Sequence, residues 1–236
     1  MKLVILAGGF GTRFSEETKK KPKPLIKIGN FPIIWHLMKI YSFYGIKQFI
    51  ICQGYKGYMI KKQLKKFIKK ENWKVDFVDT GLRTMTGGRI LKIKKFLRND
   101  ENFCLSYGDG LSNVNIKKLI KFHKNNNKIA TVTAVKHQSR FGVLSINKKN
   151  IVNNIQEKPT DYINGGFFVL SKKIFEFINS SKNIFEKDCL PELVKLNQLI
   201  SYKHNNFWAC MDTSRDKKIL NDEWVNKNCR WRIWKK

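Results

Sequence analysis

Apolar runs of strand length alternate with amphipathic stretches of helix length over the first two thirds of this 236-residue chain. Strand-like runs fall at 2–7, 48–52, 74–78, 102–107 and 129–135, and helical spacing falls between them at 32–44, 57–69, 88–97 and 114–125. Two parallel strands need a crossover of about a dozen residues or more, which a helix supplies. Strands spaced by helices of this length therefore predict βαβ units and a mainly parallel sheet. Pro32 suits a first helical turn, and Gly45 suits the residue after a helix end. The last third changes rhythm. Short runs at 142–146, 151–156 and 163–170 precede helical stretches at 172–179 and 188–196, short strands at 199–203 and 207–210, and a helix at 214–224. The fold class expected is α/β: a Rossmann-like, mainly parallel sheet flanked by helices, with a smaller mixed C-terminal part, residues 1–236 forming one domain. The tail from 226 to 236 carries Trp231 and Trp234 among basic residues, and either caps the core or packs on a neighbour.

Composition closes off several classes. At 42% hydrophobic and 13% aromatic, the chain can bury a core and is not of disordered type. No apolar run approaches the roughly 18 residues that cross a bilayer. The N-terminal apolar run stops at Gly8-Gly9, short of a signal-peptide core. A cytoplasmic location with no membrane partner is the expectation. Lys+Arg number 47 against 18 Asp+Glu, a net charge of +29. The excess is mostly lysine, spread from Lys19 to Lys236 among Asn and Ile, and reads as compositional bias. No specific nucleic-acid partner is expected. Five cysteines without a C-x-x-C give neither a disulfide framework nor a metal knuckle. The four histidines, His36, His123, His137 and His204, show no ligand spacing.

In an open parallel sheet, ligands bind outside the carboxyl ends of the strands. After the first strand comes Leu6-Ala7-Gly8-Gly9-Phe10-Gly11-Thr12-Arg13. Its three glycines let the backbone turn tightly and bring N–H groups to a phosphate. Arg13 adds a fixed fork of donors suited to phosphate oxygens. Lys21-Pro22-Lys23-Pro24 follows, with two prolines limiting where Lys23 points. Two standard phosphate loops are excluded on residues. No G-x-x-x-x-G-K-[ST] run exists, and a dinucleotide fingerprint would want glycine where Phe14 stands and an acidic residue about 20 positions later.

The loop at 6–13, followed by Lys21-Pro22-Lys23-Pro24-Leu25, resembles the signature of the sugar-phosphate nucleotidyltransferases. Further segments resemble the glucose-1-phosphate cytidylyltransferases among them: Gly54-Tyr55-Lys56-Gly57-Tyr58, Thr84-Met85-Thr86-Gly87-Gly88-Arg89, Tyr107-Gly108-Asp109-Gly110, Asn164-Gly165-Gly166-Phe167-Phe168 and Met211-Asp212-Thr213. Trp35-His36-Leu37-Met38, Asp79-Thr80-Gly81 and Arg140-Phe141-Gly142 extend the likeness, which runs from residue 1 to about residue 220.

That resemblance implies a nucleotide-diphospho-sugar transferase fold. It also implies attack by the oxygen of glucose 1-phosphate on the α-phosphorus of CTP, giving CDP-glucose and pyrophosphate with a magnesium ion (Mg2+). Such chemistry asks a protein to hold two polyanions in line and neutralise their charge. The metal ligands implied are Asp109 and Asp212. Asp109 follows the apolar run 103–107 and should stand at a strand's carboxyl end; Asp212, from residues alone, could equally be a helix N-cap. Arg13, Lys23, Asp109 and Lys158 are implied as catalytic. Leu6, Ala7, Gly8, Gly9, Phe10, Gly11, Thr12, Arg13, Lys23, Thr84, Arg89 and Gly108 are implied to bind nucleotide. Gly142, Glu157, Lys158, Asn164 and Gly165 are implied to hold the sugar phosphate. Partners implied are CTP, glucose 1-phosphate and further copies of the chain in a homo-oligomer, the product feeding deoxysugar synthesis for surface polysaccharide. Two departures stand out. Asn113 occupies a position where the family has Asp, and the stretch between Pro159 and Ile163 is shorter than is usual in the family. Nucleotidyltransferases for another base or sugar, a non-catalytic relative and a basic nucleic-acid binder are the competing readings.

Overall fold

The computed structural model describes residues 1–139 and 141–234, and the side chains of all of these except Arg13, Ser15 and Glu16. The first strands in chain order are β1 (Leu3–Leu6), β2 (Lys27–Ile28), β3 (Phe31–Pro32), β4 (Gln48–Gln53), β5 (Lys74–Asp79), β6 (Asn102–Tyr107) and β7 (Gly110–Ser112). They are followed by β8 (Ala130–Gln138), β9 (Val143–Ile146), β10 (Val152–Gln156), β11 (Thr160–Ser171), β12 (Leu199–His204) and β13 (Trp208–Cys210). The helices are α1 (Ser15–Thr18), α2 (Ile33–Phe43), α3 (Gly57–Ile68), α4 (Thr86–Lys92), α5 (Ile116–Asn126), α6 (Leu190–Lys195) and α7 (Ser214–Val225).

A seven-stranded sheet in the order β12-β8-β11-β6-β1-β4-β5 forms the centre. Strand β11 runs antiparallel to both its neighbours, and the other six point one way. The mainly parallel sheet expected from the sequence is present. Strand β1 explains the layering. Its four residues are buried, with Leu3 and Ile5 joining one core cluster and Val4 and Leu6 the other. The first cluster takes in Leu37 and Met38 of α2, Ile60 of α3, Leu119 of α5 and Leu220 of α7. The second takes in Ile90 of α4, Leu193 of α6 and Ile174 of the 3₁₀ turn at Lys172–Phe177. A strand covered on both faces reads as continuously apolar, as this one does.

Elements differ from their expected limits where side chains override periodicity. The stretch expected as one helix over 88–97 is α4 plus a 3₁₀ turn at Lys94–Leu97, a break that keeps Ile90, Ile93 and Leu97 all buried. The helix expected at 188–196 begins with a π turn at Phe185–Cys189, and Pro191 sits in the first turn of α6. Proline has no N–H to continue a helical ladder, so the register changes ahead of it. The tail caps the core. Trp231 is fully buried, its ring stacked at 5.7 Å on Phe207 and its Nε1–H donated to His36 Nδ1 at 3.4 Å. Burial pushes His36 down to about 4, so it is neutral, with Nε2 bonded to the Ile28 carbonyl at 3.0 Å. The five cysteines form no disulfide, and burial pushes Cys52 and Cys104 up to about 12. Among the described residues no helix is long and apolar enough to cross a membrane.

Candidate active site

Strand β1 pairs with β4 on one side and β6 on the other, so the chain crosses in opposite directions from it. Such a reversal leaves a crevice at the strand ends. A cleft of about 960 Å³ opens there, lined by 6–12, Lys23, Gly108, Asp109, Asn164, Gly165 and Asp212, among others. Gly11 adopts a left-handed φ of 67°, which a side chain would strain.

One group of charges marks the floor of the cleft. Lys23 Nζ lies 2.5 Å from Asp109 Oδ2 and 2.5 Å from Asp212 Oδ1. Three local features bring them together. Lys23 opens a 3₁₀ turn fixed between Pro22 and Pro24. Asp109 lies in the tight turn between β6 and β7, and β7 pairs with β13 so that Gly110 faces Cys210. The ladder continues one step, Met211 N–H donating to the Asp109 carbonyl at 3.1 Å, which delivers Asp212 beside Asp109. The N-cap of α7 is Thr213, closed by a capping box with Asp216. Asp212 is thus not the cap; its own N–H donates to Asp216 Oδ2 at 3.0 Å, which fixes the backbone behind its carboxylate. Burial alone would lower the Lys23 ammonium, but the charge of Asp109 and the hydrogen bonds Lys23 donates to Asp109 and Asp212 raise it above the usual lysine value.

Asp109, Asp212 and Cys210 form a candidate metal group, with ligand atoms within 4.8 Å of one another. The two carboxylates converge on a single positive charge, the ammonium of Lys23, as they would on a cation. Hard oxygens fit magnesium, whereas the Cys210 sulfur is a poor ligand for it.

Arg89 lines the cleft in another way than expected. It is 4% exposed. Nη2 donates to the Gly8 carbonyl at 3.0 Å, while Nη1 donates to Gln53 O, Thr80 Oγ1 and Gly81 O at 2.9, 2.6 and 3.0 Å. The guanidinium therefore ties together the carboxyl ends of β1, β4 and β5. A Cβ on Gly8 would lie 2.2 Å from it, which is why glycine stands there. Thr84 is likewise occupied, donating to Thr80 O at 2.5 Å and accepting from Lys92 at 3.1 Å. Both shape the wall of the cleft, holding it largely through backbone carbonyls.

On the other side of the cleft, β11 shifts register against β8 between Asn164 and Phe168. Gly166 takes φ 77°, and Asn164 Oδ1 accepts from the Gly166 N–H at 2.8 Å. Trp208 Nε1 donates to the Gly165 carbonyl at 2.7 Å. This bulge turns 164–166 into the cleft. Gly142, Glu157 and Lys158 are not brought into its lining. They cluster at the base of the β9–β10 ribbon. A Cβ on Gly142 would lie 3.0 Å from Glu157 Oε2, and Lys158 Nζ is 3.8 Å from Glu157 Oε1. Both of these side chains are more than half exposed, at 54% and 72%. The side chain of Arg13, expected to face the triphosphate, lies outside the described residues, as does Arg140. Sequence reasoning missed Tyr107, Glu186 and Trp208 as lining residues. Tyr107 sat inside a quoted motif, whereas Glu186 and Trp208 carried no spacing that could have flagged them.

A nucleotidyl transferase family model matches residues 2–222. The chain is 42% identical over 257 aligned positions to the glucose-1-phosphate cytidylyltransferase of Salmonella typhimurium, covering 99% of this chain and 100% of that one. It is 40% identical to a probable glucose-1-phosphate cytidylyltransferase of Bacillus subtilis, again over 99% and 100% of the two chains. Among solved structures, HddC of Yersinia pseudotuberculosis complexed with GMP-PN superposes with a TM-score of 0.75 at 29% identity, over 94% of this chain and 99% of the other. The chain belongs to the nucleotidyl transferase family and, within it, to the glucose-1-phosphate cytidylyltransferases.

Proposed function

We propose that the chain transfers the cytidylyl group of CTP to α-D-glucose 1-phosphate, releasing pyrophosphate and forming CDP-glucose. The observation that carries the reading is the Lys23 ammonium held between Asp109 and Asp212 at the mouth of the glycine-rich loop. The N–H groups and left-handed turn of that loop suit the triphosphate. Asp109 and Asp212 would hold magnesium, which when bound neutralises charge on the phosphate oxygens. Lys23, held between these two carboxylates, would face the leaving pyrophosphate. Arg89 keeps the loop at Gly8 and the segment 80–84 at a fixed separation, so CTP meets a preformed floor. Lys158 and Glu157, on the exposed base of the ribbon, would meet the acceptor's phosphate and hydroxyls. The phosphate oxygen then attacks the α-phosphorus in line, opposite the leaving group.

Residues 1–236 act as one nucleotidyltransferase domain in this reading, in the cytoplasm and without a membrane partner. The β9–β10 ribbon exposes Phe141, Ile146 and Ile155 at 77%, 58% and 69%, an apolar surface that supports assembly into a homo-oligomer. The test is pyrophosphate release from CTP, UTP, dTTP, GTP and ATP in turn, with glucose 1-phosphate and magnesium. Release with CTP, abolished by EDTA, is the expected result. Release with another nucleotide instead would overturn the base assignment, and silence with all five would overturn the reading.

A further inference from the structure

Glu186 stands in the π turn that precedes α6, and it lines the cleft. Its two oxygens are each fixed by one donor. The Tyr107 hydroxyl donates to Oε1 at 2.5 Å, and the Thr86 hydroxyl donates to Oε2 at 2.6 Å. Thr86 is itself held, accepting from the Phe185 N–H at 2.9 Å. A carboxylate oxygen can accept about two hydrogen bonds, so each oxygen keeps one acceptor position unused. Tyr107 is a firm donor, because burial first, and then the Glu186 charge, hold its hydroxyl protonated well above the usual range. Its other neighbours place it on the acceptor side of the cleft. Gly166 packs so closely that a Cβ there would lie 2.7 Å from the ring, and Asn164, whose Oδ1 accepts from the Gly166 N–H, lines the same cleft. The polar chain Tyr107–Glu186–Thr86 thus continues the bulge of β11 along the cleft wall.

Glu186 has no cationic partner within ion-pair distance among the described residues. That is unusual in a chain with 47 basic and 18 acidic residues. A fixed, unpaired carboxylate repels phosphate, so it suits the neutral, donor-rich portion of a ligand. We propose that Glu186 is a specificity-determining residue whose carboxylate, aimed by Tyr107 and Thr86, accepts hydrogen bonds from hydroxyl groups of the hexose 1-phosphate. The inference rests on the function proposed above and adds a residue outside the Glu157-Lys158 element.

The test is steady-state kinetics of the full chain with magnesium, comparing wild type, Glu186→Gln and Tyr107→Phe. Glutamine keeps the shape and removes the charge. Glu186→Gln is expected to raise the KM for glucose 1-phosphate roughly tenfold, the scale of one charged hydrogen bond, while the KM for CTP moves less than about twofold. Tyr107→Phe, which loosens the aim but keeps the carboxylate, is expected to shift the same KM by roughly threefold. In wild type, one monodeoxy glucose 1-phosphate should bind roughly tenfold more weakly than the parent, and in Glu186→Gln that difference should vanish. A rise confined to the KM for CTP assigns the carboxylate to the cytosine amino group or the ribose and overturns the proposal. No change in either KM, or undiminished discrimination against every deoxy analogue, also overturns it. A wild-type protein that turns over glucose 1-phosphate while Glu186→Gln behaves identically defeats this inference alone. A wild-type protein inactive with glucose 1-phosphate defeats both it and the function on which it rests.

Discussion

The glycine-rich wall of the cleft and the β9–β10 ribbon, which stands outside the cleft lining, are built in opposite ways. The wall proposed to meet nucleotide is tied at every turn. Gly8, Gln53, Thr80 and Gly81 converge on the buried guanidinium of Arg89, and Lys23, Asp109 and Asp212 lock one another. The Glu157-Lys158 element stands on a two-stranded ribbon whose residues are exposed along its length, and among the described residues its one ion pair is the pair itself. An exposed pair 3.8 Å apart contributes little to stability. The contrast separates two kinds of effect. Changes on the nucleotide wall should disturb both fold and chemistry, whereas changes on the ribbon should disturb use of the acceptor and leave stability alone.

The largest effect is expected at Asp109. Asp109→Asn removes a carboxylate from the candidate metal pair and should lower kcat by roughly 10³-fold, the scale of losing a charge-stabilising contact in the transition state. Rapid-quench measurement of CDP-glucose formation checks this, and near-normal turnover would remove Asp109 from the chemistry. Arg89→Met comes next. It deletes four hydrogen bonds to the ends of three strands. Several of the acceptors retain other partners, Gln53 O from the Thr80 N–H and Gly8 O from the Tyr55 N–H, so the expected loss is about 2 kcal/mol. Urea unfolding reads the loss of stability, and the KM for CTP should rise roughly tenfold with it. A destabilised protein with an unaltered KM for CTP would mean that the guanidinium holds the fold but not the nucleotide loop.

Most of the glycine-rich wall of the cleft was legible because its residues are local. The run 6–13 and the bracket 21–24 are contiguous, and backbone geometry fixed by glycine and proline shows in sequence as glycine and proline. The sheet was legible for the same reason, as the apolar runs of β1, β4 and β6 are buried on both faces. What sequence missed depended on pairing between distant strands. The role of Thr213 as the cap of α7, freeing Asp212, was decided by the β7–β13 ladder and by Asp216. Arg89 lines the cleft, but its burial and its carbonyl partners at the ends of three strands have no sequence signature. Glu186 is separated by 79 residues from Tyr107 and by 100 from Thr86, so nothing in its own neighbourhood points to the cleft.

The difference between the cleft wall and the ribbon is tested most directly by Lys158→Ala, with both KM values and the melting temperature measured on one preparation. The expected result is a KM for glucose 1-phosphate raised roughly tenfold by loss of one cationic contact to phosphate, with the KM for CTP and the melting temperature unchanged. Equal weakening of both substrates, or a fall in melting temperature, would contradict the separation of a preformed nucleotide wall from an acceptor element carried on an exposed ribbon.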